Sequence, residues 1–243
     1  MTDILVHDDA EALTAEIVRR LGETIGAAQA EGRQPHVVLT GGTIAIAAYE
    51  AITGDADAES GADWARVHYW WGDERFVPEG HADRNDQQAR DAFLDRLGVP
   101  ANHVHAMPAH GCSESMADAA DGYGAALPSE PFDVVLLGVG PDGHVASLFP
   151  GFAQLDETER PCVEVFGSPK PPPERITLTF PALNHTRQTW FLVSGEGKAE
   201  AVARALGETT VHETPASGAF GLDTTLWLID QDAASQLISK GGG

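Results

Sequence analysis

An α/β fold, with an open, mostly parallel sheet flanked by helices on both faces, is predicted by three features of this sequence. Apolar, strand-like runs alternate with helical periodicity from end to end. The run Val134-Val135-Leu136-Leu137 is apolar at every position, as suits a strand covered on both sides in the middle of a parallel sheet. Several of the strand-like runs end in turns rich in glycine or charge, and open α/β sheets bind their ligands beyond the carboxyl ends of their strands.

Taken in order, a strand is expected from Ile4 to His7 and a helix from about Ala10 to Ala30, followed by a strand from His36 to Thr40 and a helix after Thr43. Further strands are expected at Val67 to Trp71, Val104 to Met107, Asp133 to Val139, Ile176 to Phe180, Thr189 to Ser194 and Leu226 to Ile229. Helices are expected around 86 to 97, 113 to 126 and 197 to 206. The chain breaks at Gly54 to Gly61, which is small and acidic, and at Gly167 to Pro173, where Ser168-Pro-Lys-Pro-Pro-Pro must be extended and can approach a site as a rigid loop. A single domain over residues 1–240, with a flexible glycine tail at 241–243, is the expected organisation.

The 243 residues carry 37 acidic against 15 basic side chains, a formal net charge of −22. Such a surface repels nucleic acid and anionic lipid, so the expected partner is a small molecule; a monomer or weak homo-oligomer is expected. An anionic ligand would need a local group of cations, and the lysines are only Lys170, Lys198 and Lys240. Cys112 and Cys162 form no paired motif and read as reduced thiols. The acidic amino terminus lacks the basic segment and apolar run of a signal peptide, which points to the cytoplasm. His103, His105 and His110 lie close together without acidic or cysteine companions at a metal-ligand spacing, so they read as packing residues, with no metal expected.

Four segments carry candidate chemistry. In Leu39-Thr40-Gly41-Gly42-Thr43 a strand passes through two glycines into a helix, offering backbone N–H groups and a hydroxyl to a phosphate; a plain turn capped by Thr43 explains the segment equally well. In Gly72-Asp73-Glu74-Arg75 a strand ends in two acids and an arginine, where Arg75 either meets an oxyanion, braces Asp73 or forms a surface ion pair. Gly138-Val-Gly-Pro-Asp142-Gly-His144 has the letters of a dinucleotide fingerprint, but Pro150-Gly151 follow too soon for the required helix, and no nucleotide cofactor is expected. What remains is a histidine on a tight turn with a carboxylate two residues earlier, suited to general base work. Arg175, on one strand face with Thr177 and Thr179, and Lys198, at a helix start, complete a phosphate site with Thr43, or Lys198 is simply a solvated helix residue.

Together, Leu39-Thr-Gly-Gly-Thr43, Trp71-Gly-Asp-Glu-Arg-Phe-Val-Pro78, Leu137-Gly-Val-Gly-Pro-Asp-Gly-His-Val-Ala-Ser-Leu-Phe-Pro150 and Arg175-Ile-Thr-Leu-Thr179 resemble the 6-phosphogluconolactonase family, in order and over nearly the whole chain. The resemblance implies cofactor-independent hydrolysis of 6-phospho-D-glucono-1,5-lactone to 6-phosphogluconate in the oxidative pentose phosphate pathway, on a fold related to that of glucosamine-6-phosphate deaminase. The deaminase pattern runs on from its histidine to Ala-Phe-Asn-Glu-Pro, and Phe149 stands here where that glutamate would be. A phenyl ring carries no proton, which favours the lactonase over the deaminase. Asp83-Arg84-Asn85 departs from the Asp-Ser-Asn common in lactonases. The expected machinery is His144 as base, with Asp142 or Asp73 favouring its imidazolium, and phosphate held by Gly41, Gly42, Thr43, Arg75, Arg175 and Lys198. A non-catalytic sugar-phosphate-binding protein is the alternative of a different class.

Overall fold

A computed structural model describes residues 1–53 and 61–238. Most of the acidic break at 54–60 and the glycine tail at 241–243 lie outside the described residues. Six parallel strands form the main sheet: β1 (Thr2–His7), β2 (His36–Leu39), β3 (His68–Trp71), β5 (Phe132–Gly138), β8 (Thr186–Val193) and β9 (Thr224–Asp230), in the order β1-β9-β8-β5-β2-β3. A second, antiparallel sheet has the order β4-β7-β6, from β4 (Asp73–Arg75), β6 (Cys162–Val165) and β7 (Arg175–Leu178).

The apolar strands follow from burial on both faces. Along β5, Val134 and Leu136 join one core while Val135 and Leu137 join the other, and Trp190 and Phe191 divide in the same way on β8. The first core is closed by α1 (Ala10–Ala30) and α2 (Thr43–Ala51). Leu13, Ile17, Leu21 and Ile25 of α1, spaced by four, are all buried there, stabilising by about 1.5–3 kcal/mol each before chain entropy is counted. Asp9 caps this helix by accepting from the Ala12 N–H at 2.8 Å. The second core takes α4 (Met116–Ala126), α6 (Ala199–Ala205), α7 (Gln231–Ile238) and the small sheet.

After β2 the chain turns outward to β3, and after β5 it turns the other way to β8, so the strand order reverses between β2 and β5. A crevice opens at such a switch point, and the two glycine turns flank it.

Several expectations are corrected. The segment Val104 to Met107 is not a strand: only Val104 bridges to Tyr69, and the run, bounded by Pro100 and Pro108, packs His103 and His105 onto His68 instead. The strand expected to Phe180 stops at Leu178, because Pro181 sits in the first turn of α5 (Phe180–Leu183), and it belongs to the small sheet. The helix expected from 113 begins at Met116, where the Ser115 hydroxyl accepts the Asp118 N–H. The helix around 86 to 97 is α3 (Asn85–Ala89) continued by a π turn at Arg90–Leu94. No helix among the described residues is long and apolar enough to cross a membrane.

Candidate active site

A cleft of about 230 Å³ lies at the carboxyl ends of β2 and β5, lined by Thr40 to Gly42, Asp73, Arg75, Asn85, Gly138 to Gly140, His144, Ala146, Lys170, Pro171, Arg175 and Lys198. Tyr49 pins the end of β2, since its hydroxyl both donates to the Thr40 carbonyl and accepts from the Thr40 N–H. Gly42, at φ +104°, then opens α2 with its N–H groups towards the cleft end of the helix.

His144 is held by the turn that follows β5. Its carbonyl accepts the Gly140 N–H at 2.9 Å, and Asp142 Oδ1 lies 2.5 Å from Nδ1. A carboxylate only accepts, so Nδ1 carries the proton, and in the neutral ring the lone pair is on Nε2. Burial opposes the Asp142 charge, but the hydrogen bond and the neighbouring imidazole outweigh it and hold the carboxyl at about 2. The dyad leans over Gly140, where a Cβ would fall 2.1 Å from the His144 ring and 2.4 Å from Asp142 Oδ1. On its other side the ring packs against Phe149, with centroids 4.6 Å apart. Ala146, a non-glycine at φ +49°, marks local strain in the cleft wall.

Asp73 occupies a different wall. It is buried, accepts from the Ser147 hydroxyl at 2.6 Å and lies 3.8 Å from the Arg175 guanidinium. The carboxylate on His144 is therefore Asp142. Asn85 donates to the Asp73 carbonyl at 2.8 Å, and its carbonyl oxygen lies where a Gly41 Cβ would stand, which explains that glycine. Beneath, Glu74 accepts the N–H groups of Arg75, Asn85 and Asp86 at 2.7 to 2.9 Å, with the buried Arg84 beside it. Burial pushes Glu74 up to about 7 against the charge of Arg84.

Lys198 donates from Nζ to the Val139 carbonyl at 2.7 Å, and burial, then the nearby Lys170, lowers its pKa. The cleft thus gathers Gly41, Gly42, Asp73, Arg75, His144, Arg175 and Lys198 from the sequence expectations, with Asp142 directly behind His144. Thr43 is not in the lining: it is exposed as the first residue of α2. Sequence reasoning did not select Asn85 or Lys170. The signal for Lys170 was present in the proline-rich loop around it.

A doubly wound sheet with a polar, cation-bearing cleft and a histidine–carboxylate pair at its switch point defines an α/β protein equipped for acid–base chemistry on an anionic ligand. The profile of the family described as glucosamine-6-phosphate isomerases/6-phosphogluconolactonase matches residues 8–227, and the chain belongs to that family. It is 44% identical to the 6-phosphogluconolactonase of Mycobacterium tuberculosis, over 98% of this chain and 99% of the relative. It is 46% identical to that of Streptomyces coelicolor, over 96% of this chain and 94% of the relative. Among solved structures, a 6-phosphogluconolactonase from Thermotoga maritima superposes with a TM-score of 0.81 at 27% identity, over 95% of this chain and 100% of that one.

Proposed function

We propose that the chain hydrolyses 6-phospho-D-glucono-1,5-lactone to 6-phospho-D-gluconate, the lactonase step of the oxidative pentose phosphate pathway, with His144 as general base. The observation that carries this reading is the Asp142–His144 pair in a cleft that also holds Lys170 and Lys198. Binding a phosphate needs the cations and has no use for an oriented imidazole, which separates an enzyme from a sugar-phosphate sensor. The near full-length identity to curated lactonases supports the same substrate.

In this mechanism His144 Nε2 takes a proton from a water as its oxygen attacks the lactone carbonyl, and Asp142 favours the imidazolium that forms. Negative charge on the former carbonyl oxygen is met by N–H groups of the glycine turn. Collapse of the tetrahedral intermediate breaks the bond to the ring oxygen, and His144 returns the proton there. Phosphate binding by the Gly41–Gly42 turn, Arg75 and Lys198 fixes the carbonyl near the base, so remote binding contributes to positioning. Asp73 acts on the wall rather than on the imidazole, through Ser147 and Arg175. Phe149 beside His144 offers no proton for amino-sugar isomerisation.

Two free cysteines, one exposed and one buried, fit a reducing compartment, and we assign the activity to the cytoplasm, carried out by a monomer or weak homo-oligomer. The test generates the lactone in place, subtracts its spontaneous hydrolysis and supplies glucosamine 6-phosphate in parallel. Lactone loss that depends on His144, without ammonia release, is the expected result. Ammonia release, or no turnover of either compound, would overturn the reading.

A further inference from the structure

We propose that β1, the open edge of the main sheet, is a self-association surface, on which a second copy of this chain adds its own β1 antiparallel across a two-fold axis through Leu5. The inference gives the weak homo-oligomer proposed above its surface, and it is independent of the lactonase reading. The main sheet ends at β1, which has β9 on one side and, among the described residues, no strand on the other. The Thr225 N–H donates to the Met1 carbonyl at 2.9 Å, and the register sets Thr2 beside Thr225 and Ile4 beside Trp227. Backbone groups alternate sides along a strand, so those of Met1, Asp3, Leu5 and His7 serve β9, while the N–H and carbonyl groups of Thr2, Ile4 and Val6 point out of the sheet. Unpaired ladder groups of this kind are a template for another strand. The strand carries neither lysine nor proline to repel one, and its register with β9 is unbroken. Leu5 packs on the first core, whereas Ile4 and Val6, on the opposite face, stay 42% and 48% exposed.

The residues of the strand select the partner and the register. A two-fold axis brings the same patch of two copies together, which for an edge strand means antiparallel pairing with itself. With the axis at Leu5, Ile4 of each copy faces Val6 of the other and exchanges both ladder hydrogen bonds with it. Asp3 then stands opposite His7, in the class of pair whose side chains approach most closely. Moving the axis to Ile4 sets Asp3 against Leu5, and moving it to Val6 sets Ile4 against Asp8, so each alternative leaves a carboxylate facing an apolar side chain. Only the Leu5 register matches apolar with apolar and carboxylate with imidazole. Within one chain Asp3 is exposed and His7 Nε2 has no hydrogen-bond partner, so a second copy displaces no existing contact of that nitrogen. The net charge of −22 on each copy opposes association. One strand pair is also a small interface, so the dimer is weak, with a Kd on the order of 10–100 µM, and salt tightens it.

The test is sedimentation equilibrium of the full chain from about 1 to 500 µM, with Ile4→Pro, Val6→Lys and Phe166→Lys, each checked for cooperative unfolding. Ile4→Pro removes an N–H that points away from β9 and leaves the ladder of the single chain complete. Val6→Lys places a charge opposite each Ile4 and keeps every backbone group, so it serves even where the proline variant fails to fold. Phe166, 60% exposed beyond the end of β6, is the control for exchanging an exposed apolar side chain for a lysine. A wild-type dimer in the stated range is expected, weakened at least tenfold in both β1 variants and changed less than about twofold in Phe166→Lys. A monomer at every concentration, or equal loss in Phe166→Lys, would overturn the assignment. A dimer that persists in Val6→Lys would sink this surface while leaving the weak homo-oligomer itself standing.

Discussion

Asp142 Oδ1 sits 2.5 Å from the Nδ1 of His144, two residues on, so a single tight turn both builds the pair and aims the other ring nitrogen away from it. The carboxyl, held at about 2 against the cost of its burial, stays ionised throughout the range in which such an enzyme works. Replacing His144 with Ala should therefore lower kcat by about 10² to 10⁴ with little change in KM. Asp142→Asn, which removes the charge and lets the tautomer drift, should lower kcat about 10- to 10³-fold at unchanged fold. Steady-state kinetics on both variants checks this, and an Asp142→Asn enzyme with wild-type kcat would remove the carboxylate from the mechanism.

Gly140 is required by what lies above it. A methyl there would stand 2.1 Å from the His144 ring, so Gly140→Ala should displace the pair and reduce kcat at least 10²-fold. Gly122, inside α4 with nothing within 4 Å of its would-be Cβ, is the control. Gly122→Ala should raise stability by about 0.5–1 kcal/mol and leave kinetics alone. A denaturant series with activity assays on both proteins separates the two cases.

The contrast between these glycines also marks how far the sequence could be read. The continuous apolar run of β5 and the four-residue spacing of Leu13, Ile17, Leu21 and Ile25 declare their environments locally, and the turn from Gly138 to His144 declares its chemistry by residue type. The strands β4 and β6 do not. Three residues reading Asp-Glu-Arg become a strand only because Arg175 to Thr177, a hundred positions later, supply the partner. Val104 to Met107 has the composition of a strand, yet its one imidazole, His105, stacks with His68 and Trp70 instead. Lys170 is an ordinary lysine in sequence, and its place in the cleft depends on loop carbonyls meeting a guanidinium from β7.

Arg84, at the position where many lactonases carry serine, lies inside the protein at 2% exposure. Its Nε donates to Asp86 at 2.6 Å, Nη2 donates to the Met107 carbonyl at 2.6 Å, and Nη2 also faces Glu74 at 3.8 Å. Arg84→Ser would leave the buried Glu74 without its cation and Asp86 with only Arg90, 3.7 Å away, a loss of about 3–5 kcal/mol. For a chain of this size that should lower Tm by roughly 10 °C. Because Glu74 caps the start of α3 and also holds the Arg75 N–H, KM should rise in the same variant. Calorimetry gives the test: a change in Tm below about 2 °C would mean that the neighbouring loops can accept the serine after all.

Far from the cleft, at the amino ends of β2 and β3, the imidazoles of His36, His68, His103 and His105 pack with Trp70, and His68 Nδ1 lies 2.9 Å from His105 Nε2. Burial, then the neighbouring imidazoles, lowers His68 to about 4, and burial lowers His36 and His105 as well, with Asp133 opposing it at His36. In the unfolded chain these groups protonate near 6.5, and in the folded one His68 does so only near 4. The unfolded state therefore takes up protons first, and the stability present above about pH 6.5 is lost as pH falls towards 4. Discounted for the partial exposure of the ring, His68 accounts for about 1–2 kcal/mol of that loss, or several degrees in Tm. Replacing His68 with Phe keeps the stack and removes the titrating group, so Tm should fall less steeply between pH 7 and pH 4.5 than in the wild type. Equal slopes for the two proteins would assign the acid sensitivity to carboxylates elsewhere.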